Sequence, residues 1–208
     1  MLKSKASLIK EALYEYNSDV KCALVFENTY QLLVAVILSA QTTDKAVNKV
    51  TPNLFLKYPS ILALSGASVQ DVYEIIKPLG LALTKSHNLI QMAKQVNEDF
   101  LGEIPRTIDE LTHLKGVGRK TANVILSEGF NLPGFAVDTH VERTTKRMGL
   151  VPVNATTNRV ELLLKDLFLE EDWHFMHLAL INLGRNICIS QRPLCEKCPL
   201  KDLCEKKF

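Results

Sequence analysis

Two glycines one residue apart, Gly116 and Gly118, constrain this chain more than any other feature. Before them Leu111 and Leu114 end one apolar helical pattern, and after them Arg119 to Leu126 resumes another. Only a sharp backbone reversal joins two helices over so few residues, and glycine supplies the dihedral freedom for it. Residues 111–126 therefore read as helix, tight turn, second helix. Such a turn aims the free backbone N–H groups of the second helix outward, where they bind phosphate oxygens. Lys115, Arg119 and Lys120 add positive charge at the same place. A bare G-x-G is as compatible with an ordinary interhelical turn. Here the flanking apolar patterns and the adjoining basic pair favour a helix-hairpin-helix that anchors a phosphate backbone through Lys115, Gly116, Val117, Gly118 and Arg119.

The remaining pattern is helical. Ser7 to Tyr16 places Leu8, Ile9, Ala12, Leu13 and Tyr16 on one face. Gln31 to Ala40 is apolar all round, as expected of a helix in the middle of a fold, and no stretch offers it a partner strand. Asp44 to Val50 continues helically, with Pro52 expected to end or kink it. Further helices are expected over Val69–Ile76, Lys85–Phe100, Val137–Met148, a stripe of Val160, Leu163, Leu164 and Leu167, and Trp173–Ile187. A capping box of Thr107 and Glu110 leads into the glycine turn. The segment Leu79-Gly80-Leu81-Ala82-Leu83 is unusually apolar for a connection, so it is packed under a neighbour or kept for a ligand. Strand signals are nearly absent, and the fold class is all-α.

The net charge of +2 does not announce a nucleic-acid binder, so any basic face must come from local clustering. A hydrophobic content of 47% in 208 residues excludes a disordered chain and allows a real core. The first residues lack the apolar centre and cleavage site of a secretory signal, and the longest apolar run, Leu32 to Leu38, is too short to span a bilayer. A cytoplasmic protein with no membrane contact is expected.

Cys188, Cys195, Cys198 and Cys204 follow the spacing C-x6-C-x2-C-x5-C within one short loop-rich segment. Four thiolates so close point to a metal rather than a secreted disulfide framework. The spacing leaves a [4Fe–4S] cluster and a structural zinc both open. A structural role, pinning the C-terminal segment and presenting Arg192, Lys197 and Lys201, fits this small appendage better than electron transfer. Cys22 stands apart and reads as a small buried hydrophobe.

Three separated motifs together carry a family resemblance. Leu114-Lys115-Gly116-Val117-Gly118-Arg119-Lys120-Thr121-Ala122-Asn123, Val137-Asp138-Thr139-His140-Val141 and the cysteine tail resemble those of endonuclease III, the helix-hairpin-helix DNA glycosylase with lyase activity. Leu38-Ser39-Ala40-Gln41-Thr42-Thr43-Asp44 matches a further motif of that family. The resemblance implies a two-lobed glycosylase fold: a six-helix lobe over residues 22–132, and a second lobe from residues 1–21 and 133–208 that carries the cluster loop, 188–204. It also implies [4Fe–4S] rather than zinc, and a monomer acting on double-stranded DNA with damaged bases or abasic sites, in a bacterial-type cell. DNA would lie in a groove between the lobes.

The family's nucleophile falls on Lys120, whose unprotonated amine would displace a damaged base and form a Schiff base. Its catalytic carboxylate falls on Asp138. On the residues alone Asp138 or Thr139 is a helix N-cap, with Glu142 completing a capping box from Thr139, and His140 is a phosphate neighbour at that helix start. Extrusion of a base leaves a gap, which the family fills from positions matching Gln41 and Leu81. The chain departs from the family pattern at Ala82, Leu83, Lys115 and Leu183. The sister adenine-mismatch glycosylase needs a carboxylate in the Gln31–Ala40 helix and lacks the hairpin lysine; here no acid occurs between Glu27 and Asp44, and Lys120 is present. A non-catalytic DNA-binding module and an electron carrier are the rivals from other classes.

Overall fold

A computed structural model describes residues 2–207. In chain order the helices are α1 (Leu2–Tyr16), α2 (Thr29–Leu38), α3 (Asp44–Lys57), α4 (Ile61–Ser65), α5 (Val69–Ile76), α6 (Ala82–Asp99), α7 (Ile108–His113), α8 (Arg119–Val124), α9 (Thr139–Met148), α10 (Thr157–Leu167) and α11 (Trp173–Asn186). A π-helical turn, Ile125–Gly129, extends α8, and two single 3-10 turns lie at Glu170–Asp172 and Cys195–Lys197. No strand occurs among the described residues, and no helix is long and apolar enough to cross a membrane.

The chain packs as two units. Cys22–Leu132 holds α2 to α8 around α2, in which every residue from Leu32 to Leu38 is buried. Each of its Leu, Val and Ile side chains contributes roughly 1.5–3 kcal/mol relative to exposure. Asn28 caps α2 by accepting the Gln31 N–H at 3.0 Å, and the buried Tyr30 hydroxyl donates to Tyr58 O at 2.7 Å. Helix α6 turns Leu89, Ile90, Met92, Ala93 and Val96 inward. Ser60 caps α4, a single turn added by the segment after Pro59.

Two boundaries in this unit differ from the sequence pattern. Helix α3 continues through Pro52 to Lys57, because the apolar face of Val47, Val50 and Leu54 stays buried on both sides of the proline. The missing backbone donor is outweighed by that burial. Helix α6 begins at Ala82, three residues before its first charged residue, since Leu81 takes the left-handed N-cap conformation and Ala82 is buried. Cys22 is only half-buried, not a core residue.

The second unit, up to Lys21 and from Pro133 onward, is built on α1, α9, α10 and α11. Its core gathers Ile9 and Leu13 of α1, Phe135, Val141, Val160, Leu164, Met176, Leu180 and Leu200. Helix α1 turns Ala6, Ile9 and Leu13 inward, whereas Leu8 and Tyr16, placed on the same face by spacing, are 50% and 43% exposed. Phe135 stacks with Phe168 at 6.3 Å, and Gly184 of α11 admits α9 so closely that a Cβ there would sit 2.8 Å from His140 Cβ.

Candidate functional site

The glycine turn takes the shape its residues dictate. Thr107 caps α7 by accepting the Glu110 N–H at 3.3 Å, and its hydroxyl donates to Glu110 Oε2 at 2.7 Å, so the expected Thr107–Glu110 pair forms through the hydroxyl. Leu111, Leu114 and Val117 are buried and fix the turn to the unit, while Lys115, Gly116, Gly118, Arg119 and Lys120 are exposed. Gly116 has φ +82, which favours glycine, and a Cβ there would lie 3.2 Å from Asn88 Cβ. Gly118 begins α8 in extended conformation with no side-chain cap, so the first N–H groups of α8 face outward beside three basic side chains. Sequence reasoning missed Gln95 of α6. Its Oε1 accepts the Lys115 N–H at 2.7 Å and its Nε2 donates to His113 O at 3.2 Å.

Elsewhere in the same unit, Gln41 and Leu81 lie in adjacent connections. Gln41 is exposed with φ +54, and Leu81 is 56% exposed with φ +59. A Cβ on Gly80 would be 3.9 Å from Gln41 O. The apolar connection divides its roles: Leu79 and Ala82 are packed, whereas Leu81 and Leu83 are each 56% exposed. Packing under a neighbour thus holds for Leu79 and Ala82 and not for Leu81 and Leu83.

In the other unit Asp138 is itself the N-cap of α9. Its Oδ1 accepts the N–H groups of His140 at 2.8 Å and Val141 at 2.9 Å. Thr139 is inside the helix, and Glu142 bonds instead to Lys146 Nζ at 2.6 Å and Thr157 Oγ1 at 2.9 Å, so the expected Thr139–Glu142 capping box does not form. Among the described residues nothing donates a hydrogen bond to Asp138 Oδ2. Half-buried His140 places Nδ1 3.3 Å from Arg143 Nη2.

Two arginines of α9 hold the start of the cysteine segment. Arg143 donates to Cys188 O at 3.0 Å and Gly184 O at 2.7 Å. Arg147 donates to Ile189 O and Ser190 O, each at 2.8 Å, and to Cys188 Sγ at 3.5 Å. Cys188, Cys195, Cys198 and Cys204 all line one pocket with Met148, Leu183, Ile187 and Leu200. None is in a disulfide. Burial pushes the Cys198 thiol up, and the charges of Cys188, Cys204 and Cys195 push in the same direction. The described residues contain no group of three or more such ligands set round a single metal ion. Arg192 and Lys197 are exposed, but Lys201 pairs with Glu196, so less positive charge is presented than the sequence suggested.

Comparison with known proteins places this arrangement. A family profile described as "HhH-GPD superfamily base excision DNA repair protein" matches residues 34–169. The chain is 44% identical to "Endonuclease III" of Bacillus subtilis over 89% of this chain and 85% of that protein. It is 40% identical to "Endonuclease III" of Synechocystis sp. over 97% and 92% respectively. Among solved structures, "Structure of a Trapped Endonuclease III-DNA Covalent Intermediate: Estranged-Adenine Complex" superposes with TM-score 0.94 at 39% identity, over 98% of this chain and 96% of that one. The chain belongs to the HhH-GPD superfamily of base excision DNA repair proteins and, within it, to the endonuclease III family.

Proposed function

We propose that this chain is a bifunctional DNA glycosylase and abasic-site lyase of base excision repair, which removes oxidised pyrimidines from duplex DNA and then cleaves the strand. The observation that carries the reading is Lys120, an exposed lysine in the first turn of α8, two residues past the uncapped glycine turn. Its amine attacks C1′ of the damaged nucleotide, the C1′–N bond breaks, and the base leaves with a proton. In the resulting adduct the nitrogen lone pair then breaks the C1′–O4′ bond, the ring oxygen takes up a proton, and a Schiff base between Lys120 and the opened sugar remains. Removal of a C2′ proton then expels the 3′ phosphate by β-elimination.

Asp138 is the carboxylate of this chemistry. Its Oδ1 is held by the cap, and Oδ2 is the oxygen left to balance positive charge on the sugar and to assist proton transfer. Lys115, Gly116, Val117, Gly118 and Arg119 receive phosphate oxygens, with His140 contributing at the start of α9. Gln41 and Leu81 enter the duplex where the base has left it. The two units correspond to the two lobes of the family.

Four cysteines with no disulfide, lining one largely apolar pocket without being grouped round a single ion, fit a [4Fe–4S] cluster better than one zinc. Bound there by Cys188, Cys195, Cys198 and Cys204, the cluster supplies a structural clasp and no step of the reaction. The active species is a monomer working on genomic DNA in the cytoplasm of a bacterial-type cell. The adenine-mismatch alternative finds no support, since α2 carries no carboxylate.

Borohydride reduction on duplex DNA with an abasic site tests the assignment. The wild type should yield a covalent protein–DNA adduct and Lys120→Ala none. An adduct that persists in Lys120→Ala moves the nucleophile elsewhere, and salt-sensitive binding with neither adduct nor cleavage makes the protein a docking module.

A further inference from the structure

Lys85 is buried where lysines are seldom found. It is 3% exposed, in the first turn of α6, and burial holds its ammonium below the ordinary lysine range. Among the described residues the ammonium makes one hydrogen bond, from Nζ to Thr42 Oγ1 at 2.6 Å. An ammonium has three donors, and a buried charge with a single neutral partner costs stability. Packing alone gives no reason to keep it.

The two ends of that hydrogen bond belong to the two connections already described. The Lys85 N–H closes the first turn of α6 on Leu81 O at 2.9 Å, so the ammonium is carried one turn beyond Leu81. Thr42 directly follows Gln41, and its hydroxyl lies 3.3 Å from Ala40 O. Gln41 and Leu81 both hold left-handed backbone at φ +54 and +59, a conformation that costs a non-glycine residue roughly 1 kcal/mol. Each connection is thus short and strained, and Lys85 bonds to both, through its ammonium to Thr42 and through its backbone N–H to Leu81.

We propose that Lys85 is a positioning residue that locks the Gln41 and Leu81 connections into one preformed wedge, through the hydroxyl of Thr42. The proposal rests on the reading of Gln41 and Leu81 as the residues that enter the duplex. Its physical content is pre-organisation: two loops fixed in advance do not lose that freedom when DNA binds. Lys85 itself touches neither the base nor the sugar.

The test uses the full-length protein and a duplex with an abasic site opposite 2-aminopurine, whose fluorescence rises when it is unstacked. Lys85→Met and Thr42→Val should each raise KM for abasic-duplex cleavage about tenfold, the scale of one lost charge-assisted hydrogen bond, with kcat little changed. Both should diminish the fluorescence rise. The double variant should be no worse than either single one, because both remove the same contact, and Lys85→Arg should restore part of the loss. An unchanged KM in both single variants, or additive losses with full fluorescence change per folded molecule, overturns the proposal. Thr42→Val, which removes only a hydroxyl, keeps the test valid should Lys85→Met not fold. Gln41→Ala and Leu81→Ala separate the two levels. If they too leave KM and fluorescence unchanged, the insertion reading has failed and the clamp with it. If they raise KM while Lys85→Met and Thr42→Val do not, the clamp alone has failed.

Discussion

Gln95 grips the backbone of Lys115 from α6: its Oε1 accepts the Lys115 N–H at 2.7 Å, while its Nε2 donates to His113 O at 3.2 Å. The glycine turn is therefore braced by a neighbouring helix as well as by its own buried Val117. Gln95→Leu keeps the size and removes both bonds, each worth about 1 kcal/mol. Affinity for an abasic-analogue duplex should fall about fivefold. The slope of affinity against salt should stay the same, because the number of phosphate contacts does not change. Binding titrations at several salt concentrations measure both.

Gly116→Ala strikes the same turn from inside. The residue has φ +82, and a new Cβ meets Asn88 Cβ at 3.2 Å and Ile37 Cγ2 at 3.4 Å. A loss of about 1–3 kcal/mol is expected in denaturant unfolding. DNA binding should drop further than stability alone explains, since the outward N–H groups of α8 lose their aim.

For Asp138 the two oxygens can be separated by chemistry. Asn caps helices as well as Asp, so Asp138→Asn should stay within about 0.5 kcal/mol of wild-type stability, whereas Asp138→Ala should lose about 1 kcal/mol with the cap. Both should lose cleavage by roughly two orders of magnitude, because both remove the charge. Unfolding curves beside single-turnover cleavage rates decide it. Retained activity in Asp138→Asn would reduce the residue to a cap.

Lys85 gives stability a signature in alkaline solution. Its folded pKa is lowered by burial, so the unfolded state holds the proton more firmly. The penalty is complete below the folded pKa and is relieved as pH rises through it toward the unfolded value of 10.5. Lys85→Met should thus be at least as stable as wild type at neutral pH, with an advantage that shrinks as pH approaches 10.5. Denaturant unfolding of both proteins across the alkaline range reads the difference.

Replacement of Cys198 by Ser should lower bound iron and sulfide and open residues 188–204 to proteolysis, while Cys22–Leu132 resists. Elemental analysis and mass mapping of the first cleavage sites provide the check.

Helical periodicity located nearly every element: α5 covers the expected Val69–Ile76, α9 ends at the expected Met148, and α2 buries the apolar run from Leu32 to Leu38. It failed where tertiary packing overrode a local rule. Pro52 sits inside α3 because flanking residues are buried, and Leu8 and Tyr16 remain exposed although they share the stripe of Ile9. The glycine turn, Lys120 and the cysteines were legible because they form contiguous motifs. Gln95 and Lys85 were not: each acts on a segment about 20 or more residues away in sequence, Lys115 for one and Thr42 for the other, and no local pattern encodes that pairing. The cap on α9 was ambiguous between Asp138 and Thr139 because both residue types cap, and only backbone geometry chose between them.

The arginines of α9 bear on how this chain can vary. Arg143 and Arg147 hold the start of the cysteine segment almost wholly through carbonyl oxygens, those of Gly184, Cys188, Ile189 and Ser190. Every amino acid offers the same carbonyl. The segment is moored by a grip blind to side-chain identity, so residues 189–192 can drift through mutation while the mooring persists, and the surface they present is free to evolve.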